Sequence, residues 1–205
     1  PNLVNGTITD TLLGNLLDGA NPYVTGKTCS ATLATGASCV ITATRTVLGS
    51  DPDPLTNTVT VHYNPLGFPN DITSSDGHSV QLFQPGVVVA KGGDTLSKIG
   101  DAVDYTILIT NTSSVDSPNL VNGTITDTLL GNLLDPANSY VTGKTCSATL
   151  ATGASCVISA TRTVLGSDPD PLTNTVTVHY NPLGFPNDVA SSDGHSVQLF
   201  QPGVV

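Results

Sequence analysis

AVDYTILITN, residues Ala102–Asn111, decides the fold. Val103, Tyr105, Ile107 and Ile109 fall on one face of an extended chain, and Asp104, Thr106, Leu108 and Thr110 on the other. Successive side chains leave a pleated strand in opposite directions, so this alternation is that of a half-buried β-strand. Upstream, Gly86–Lys91 alternates in the same way, with Val87, Val89 and Lys91 on one face, until Gly92-Gly93-Asp94 breaks it. Downstream, Asn119–Leu129, Lys144–Leu150, Ser155–Val164, Asn174–Tyr180 and His195–Phe200 read as further strands, with an irregular stretch around Gly131–Ser139. Lys144–Leu150 and Ser155–Val164 read as a hairpin across Ala151-Thr152-Gly153, where the glycine supplies a positive φ. Ser167-Asp-Pro-Asp-Pro171 is a stiff turn because each proline fixes its φ, and Asn181–Asp188 is a long polar loop.

Composition agrees with strands throughout. Thr and Val are abundant and favour pleated structure. Glu is absent and Lys and Arg together number 6, whereas surface helices are usually rich in all three. About seven short strands with turn signals at this spacing predict an all-β fold of antiparallel, immunoglobulin-like β-sandwiches. The net charge of −10 rests on Asp alone, which disfavours nucleic acid and anionic membrane as partners. No apolar run reaches the roughly 18 residues of a membrane span, and no signal peptide is visible.

The sandwich is repeated. Residues 1–88 return as residues 118–205, differing only at Gly19/Pro136, Pro22/Ser139, Thr42/Ser159, Ile72/Val189 and Thr73/Ala190. The period suits one small domain per repeat rather than a solenoid turn. QPGVV closes the chain at Gln201–Val205 and also occurs at Gln84–Val88, where it leads into a stretch found only once. The phase predicts a complete unit at 85–201, a unit at 1–84 lacking its first third, and the start of a next unit at 202–205. The QPG linker is short, so adjacent beads are expected to be semi-rigid. A window on a longer repetitive polymer and a subunit that borrows its missing strands from a neighbour both fit this phase. The smooth fusion at QPGVV favours the first.

The elements VVVAKGGDTLSKIGDAVDYTILITNTSS, TITDTLLGNLL, CSATLATGASC, RTVLGSDPDPLTNTVTV and DGHSVQLFQPGV follow one another in that order. Together they resemble the DUF11-type bacterial and archaeal surface repeat, and the resemblance covers essentially the whole unit. It implies a tandem Ig-like β-sandwich in large secreted or cell-wall-anchored proteins that act as stalks, adhesins or fibres. It implies no enzyme activity and no common ligand.

Cys29 and Cys39 flank the turn at Ala34-Thr35-Gly36, and Cys146 and Cys156 repeat the arrangement. Facing residues of an antiparallel pair approach to about 4.5 Å at Cα, within disulfide reach. An intra-hairpin disulfide is expected in each unit, the alternative being two reduced core thiols; the spacing does not suit zinc. A disulfide places the chain in an oxidising compartment, outside the cell or at its surface. Asp51 and Asp53, with Asp168 and Asp170, form either a calcium site together with loop carbonyls or simply a good Asp-Pro turn. No other cofactor is indicated.

Lys91, Asp127 and Asn174 each share a face with apolar residues. A buried Lys, Asn and Asp are the set needed for a self-formed Lys–Asn isopeptide bond: burial would deprotonate the amine and a protonated Asp would polarise the amide. In the blander reading Lys91 snorkels, Asp127 caps a turn and Asn174 bonds backbone. Asn5, Asn111 and Asn122 begin N-x-S/T sequons and are candidate glycan sites, with Asn111 expected to be exposed at a strand end. His62/His179 and His78/His195 have no neighbouring ligands or nucleophile elbow, and hydrolysis is rejected.

The function expected is structural: a repeat module of a secreted filament, fibre or surface stalk, with further copies of itself as its partners. The alternative is an adhesin module binding glycan or cell surface through the loops at one end, using Asn181–Asp188 or the acidic turn. Tyr140, Tyr180 and Phe185 are its candidate aromatic platforms.

Overall fold

Every regular element among the described residues, 1–200, of this computed structural model is a β-strand. The chain divides into two compact units, Pro1–Leu82 and a second from Phe83 onward. The expected start of a next unit at 202–205 lies outside the described residues, as does Gln201. In the first unit β1 (Leu3–Asp10), β2 (Gly14–Asn15), β3 (Val24–Lys27), β4 (Ile41–Ala43), β5 (Leu55–Pro65) and β6 (Ile72–Val80) follow in order. The second contains β7 (Val87–Gly93), β8 (Leu96–Ser97), β9 (Ala102–Asn111), β10 (Leu120–Asp127), β11 (Gly131–Asn132), β12 (Val141–Lys144), β13 (Ser155–Thr163), β14 (Leu172–Pro182) and β15 (Val189–Leu199).

The second unit is built from two sheets. One has the order β12-β13-β9-β7 and the other β11-β10-β14-β15-β8, antiparallel except for the β15–β8 pair. β9 occupies the bounds read from its alternation, and Val103, Tyr105, Ile107 and Ile109 are all inside. They share one core with Ile125, Val176 and Val178, on strands of the other sheet, so period-2 burial on both sheets makes the sandwich.

The expected hairpin at Lys144–Leu150 is different. Only Val141–Lys144 pairs with β13. After Thr145, whose N–H donates to Val157 O at 2.9 Å, the chain leaves that sheet and crosses to β10. There Leu150 and Leu120 exchange both backbone hydrogen bonds, at 2.9 and 3.0 Å, and Gly123 N–H donates to Ala148 O at 2.9 Å. A bulge in β10 prepares this crossing: the register against β14 shifts between Val121 and Thr124, and Asn122 takes φ 55°. A Cβ at Gly123 would fall on the ring of Tyr180, whose hydroxyl donates to Ser147 O at 3.0 Å. The segment 145–150 therefore joins the two sheets instead of extending one. The polar loop is shorter than expected because β14 runs on to Pro182, and the last strand begins at Val189, six residues before the expected His195, and pairs with β14.

The first unit shows what the same sequence does without β7 and β9. Its sheets are β2-β1-β5-β6 and the pair β3-β4. The counterpart of the nine-residue β13 is the three-residue β4. In the second unit β13 pairs with β9 through its whole length, and residues 1–82 contain no such partner. Val164 and Val197 are 1 % and 0 % exposed, while their counterparts Val47 and Val80 are 51 % and 46 % exposed.

Candidate functional site

Three strands converge on one buried polar cluster in the second unit. Alternation along β7 turns Lys91 inward after Val87 and Val89. Its ammonium donates to Asp127 Oδ2 at the end of β10, and both side chains are fully buried. The snorkelling expected in the blander reading does not occur. The ammonium also lies 4.8 Å from the centroid of the Tyr105 ring, a favourable cation–π placement. Burial pushes the Lys91 amine below its ordinary range, opposed first by Asp127 and then by Asp193, which accepts from Lys91 N–H at 2.7 Å. The other oxygen of Asp127 accepts from the N–H groups of Leu129 and Leu130, at 2.9 Å each, so the residue caps a turn as well.

Asn174 arrives from β14, two residues before Val176, the register partner of Asp127. It is 1 % exposed. Its Oδ1 accepts from Thr128 Oγ1 at 3.1 Å, while its Nδ2 has no hydrogen-bond partner among the described residues. The Tyr105 hydroxyl is unpartnered in the same way. Burial pushes this phenol up, and the neighbouring Asn174 side chain pulls it the other way. Lys91, Asp127 and Asn174 are thus gathered around Tyr105 and Thr128. Sequence reading singled out the first three and missed the last two. Thr128 carries a weak signal in Thr-Asp-Thr-Leu, and Tyr105 carries only its inward parity.

Both cysteine pairs are disulfides, Cys29–Cys39 and Cys146–Cys156, each with Cα atoms 4.9 Å apart. In the second unit the bridge lies where segment 145–150 leaves β13 for the other sheet, so it fastens the crossing to the strand. A loop this short gives about 2–3 kcal/mol by chain entropy.

The acidic turns are clamps. Asp168 receives both arms of Arg162, at 2.6 and 2.8 Å, and Asp51 does the same for Arg45 at 2.7 Å twice. Asp170 accepts from Leu199 N–H and Asp53 from Leu82 N–H, each at 2.9 Å, tying the turn to the end of β15 in the second unit and to the chain just past β6 in the first. Each of the four carboxylates expected at a calcium site thus has a protein partner. Among the described residues, no group of three His, Cys, Asp or Glu is gathered to hold a metal. Sequence reading missed the two arginines, because a partner six residues away looks like any other charge.

The arginines hold Asp51 at about 2 and hold Asp168 below the ordinary value of 3.8. The unfolded chain therefore binds more protons in acid than the folded one, and stability falls as pH drops from about 4 towards 2. Arg45→Gln with Arg162→Gln is expected to flatten that part of an acid-unfolding curve. An unchanged slope would show that these pairs are not its source.

Asn111 is not the exposed strand-end residue expected. It is 1 % exposed, and its Nδ2 donates to Leu150 O and Ala151 O at 3.1 Å each while Oδ1 accepts from Ser113 N–H. An amide buried and bonded at the sheet junction cannot receive a glycan. Asn5 and Asn122 are exposed, each at the positive φ of a bulge. Tyr180 is 1 % exposed and is no aromatic platform; Tyr140 and Phe185 are exposed. His62 and His179 pair with Asp71 and Asp188 on the surface.

The first unit presents an open apolar groove of about 680 Å³. Ile8, Val59, Val61 and Tyr63 line it, together with Asp10 and Asn57, the counterparts of Asp127 and Asn174. In the second unit the corresponding surface is covered by β7 and β9. No helix of the described residues is long and apolar enough to cross a membrane. No family model matches this chain, and neither does any curated protein.

Proposed function

We propose that this chain is part of a secreted extracellular array, a filament, fibre or surface stalk, made of successive β-sandwich beads. Each bead is finished by the strand pair that precedes it in sequence. The observation that carries this reading is the groove of the first unit. It is apolar, and it has the residues that in the second unit receive β7 and β9. A copy of Gln84–Ser117 ahead of Pro1 would fill it, and the repeat phase supplies such a copy ahead of residue 118. The disulfides support an oxidising environment. The resemblance to DUF11-type surface repeats supports the same location and a mechanical rather than catalytic role. Near-identical copies fit an array in which only length and stiffness matter, and the partners are then other copies of the unit.

A strand of ten residues rising about 3.3 Å per residue makes each bead roughly 30–40 Å long. Negative-stain electron microscopy of the native protein is expected to show uniform rods with an axial repeat of about that size. Isolated globular particles carrying no such repeat would refute the reading.

A further inference from the structure

We propose that Lys91 and Asn174 become joined by an isopeptide bond, with Asp127 as the proton carrier and Thr128 as the donor that polarises the amide. Four observations converge. The lysine and its carboxylate are sealed from water, so the amine has no route to solvent. The leaving nitrogen, Asn174 Nδ2, is buried without a partner, while the carbonyl oxygen that gains charge during attack already accepts from Thr128. The strand register brings Asn174 to the end of β10, where Asp127 holds the ammonium. The alternation of β7 and β14 turns both reacting residues into the same core from facing sheets.

Energetics favour the same bond. A buried ion pair bears the desolvation of two charges, and a buried amide nitrogen without an acceptor loses its hydrogen bonds to water. One reaction removes both defects. Asp127 Oδ2 takes a proton from the ammonium and leaves a neutral amine. Lys91 Nζ then forms a bond to Asn174 Cγ, and the oxygen of the tetrahedral centre is held by Thr128. Nζ gives up a second proton, which Asp127 relays to Nδ2. The Cγ–Nδ2 bond breaks, and its electron pair leaves with the nitrogen as ammonia. The products are a secondary amide carrying the last Nζ proton, one ammonia and a neutral Asp127 carboxyl. No oxidant or co-reactant is needed.

The bond would tie the first strand of the bead to β14, across the two sheets. Force applied at the ends would then bypass the chain between residues 91 and 174, which includes the disulfide loop.

The test is the intact mass of the full chain, folded with both disulfides formed and then reduced and denatured for measurement. The expected mass is one ammonia below that of the sequence. The loss is one and not two, because Asp10 and Asn57 of the first unit have no lysine at the place of Lys91 among the described residues. Proteolysis should yield a branched peptide joining Lys91 to Asn174. Lys91→Arg should restore the full mass, and Thr128→Val should slow the loss without abolishing it. The sequence mass in folded wild-type protein would overturn the proposal. So would an ammonia loss that persists in Lys91→Arg, or one that is followed by uptake of one water in mild base, since a succinimide at Asn5-Gly6 or Asn122-Gly123 gives the same mass and hydrolyses there while an isopeptide does not. The branched peptide is read in the wild type alone, so the proposal can fail even where a variant does not fold.

Discussion

Asp127→Ala is expected to destabilise the second unit by about 3–5 kcal/mol, because it strands a buried ammonium. The Lys91 side chain is fully enclosed, and with Asp127 gone its ammonium loses its hydrogen-bonded carboxylate, keeping only the ring of Tyr105 and the charge of Asp193, which binds Lys91 N–H. The substitution also removes the acceptor for Leu129 and Leu130 N–H at the turn after β10. Asp127→Asn separates the two effects, since an amide oxygen can still cap that turn while the negative charge is lost. Replacing the pair together, Lys91→Met with Asp127→Leu, should cost far less than Asp127→Ala, because no charge is left behind. Urea unfolding gives the measurement, read as the fall in the transition midpoint. The Asp127→Ala penalty should shrink as pH rises. A lysine whose folded value lies below the ordinary 10.5 binds fewer protons folded than unfolded, so stability climbs with pH until the unfolded lysine also titrates. A loss under about 1 kcal/mol, flat with pH, would mean that water reaches the site.

The second large effect concerns the first unit. It should unfold at a lower temperature than the second, although the two share almost every residue from β10 onward. Val47 and Val80, half-exposed here, are buried in the second unit, and each difference is worth about 1 kcal/mol. Val59, Val61 and Ile41 line the open groove and lose burial in the same way. Calorimetry of the full chain is expected to resolve two transitions. A chain carrying a copy of Gln84–Ser117 ahead of Pro1 should bring the lower one up to meet the higher. Two coincident transitions in the shorter chain would contradict this.

These two units show how much of the structure was legible and where legibility stopped. β9 was readable because both of its faces state their environment, and β7 because Val87, Val89 and Lys91 hold one parity. The inward parity of Lys91, Asp127 and Asn174 was equally readable, although parity does not say which inward residues meet. That depends on the register of β10 against β14, which is set by a bulge at Asn122-Gly123. Lys144–Leu150 failed for a related reason: an extended segment has the same pattern whether it stays in its sheet or crosses to another. Asn111 failed because a sequon records sequence alone, and this amide closes the junction between the sheets. The contrast between β13 and β4 is the clearest limit. Nearly identical residues form nine residues of strand in one unit and three in the other, so strand length here belongs to the partner and not to the segment.

Amide hydrogen exchange along residues 38–46 tests most directly the claim that a repeat is finished by the strand pair before it. In the second unit the corresponding residues 155–163 pair with β9 throughout and should exchange slowly. In the present chain those amides of residues 38–46 that do not bond β3 or its flanking residues should exchange quickly. With a copy of Gln84–Ser117 placed ahead of Pro1 they should become as protected as 155–163. If they exchange just as quickly in that longer chain, the strand pair does not occupy the groove and the account is wrong.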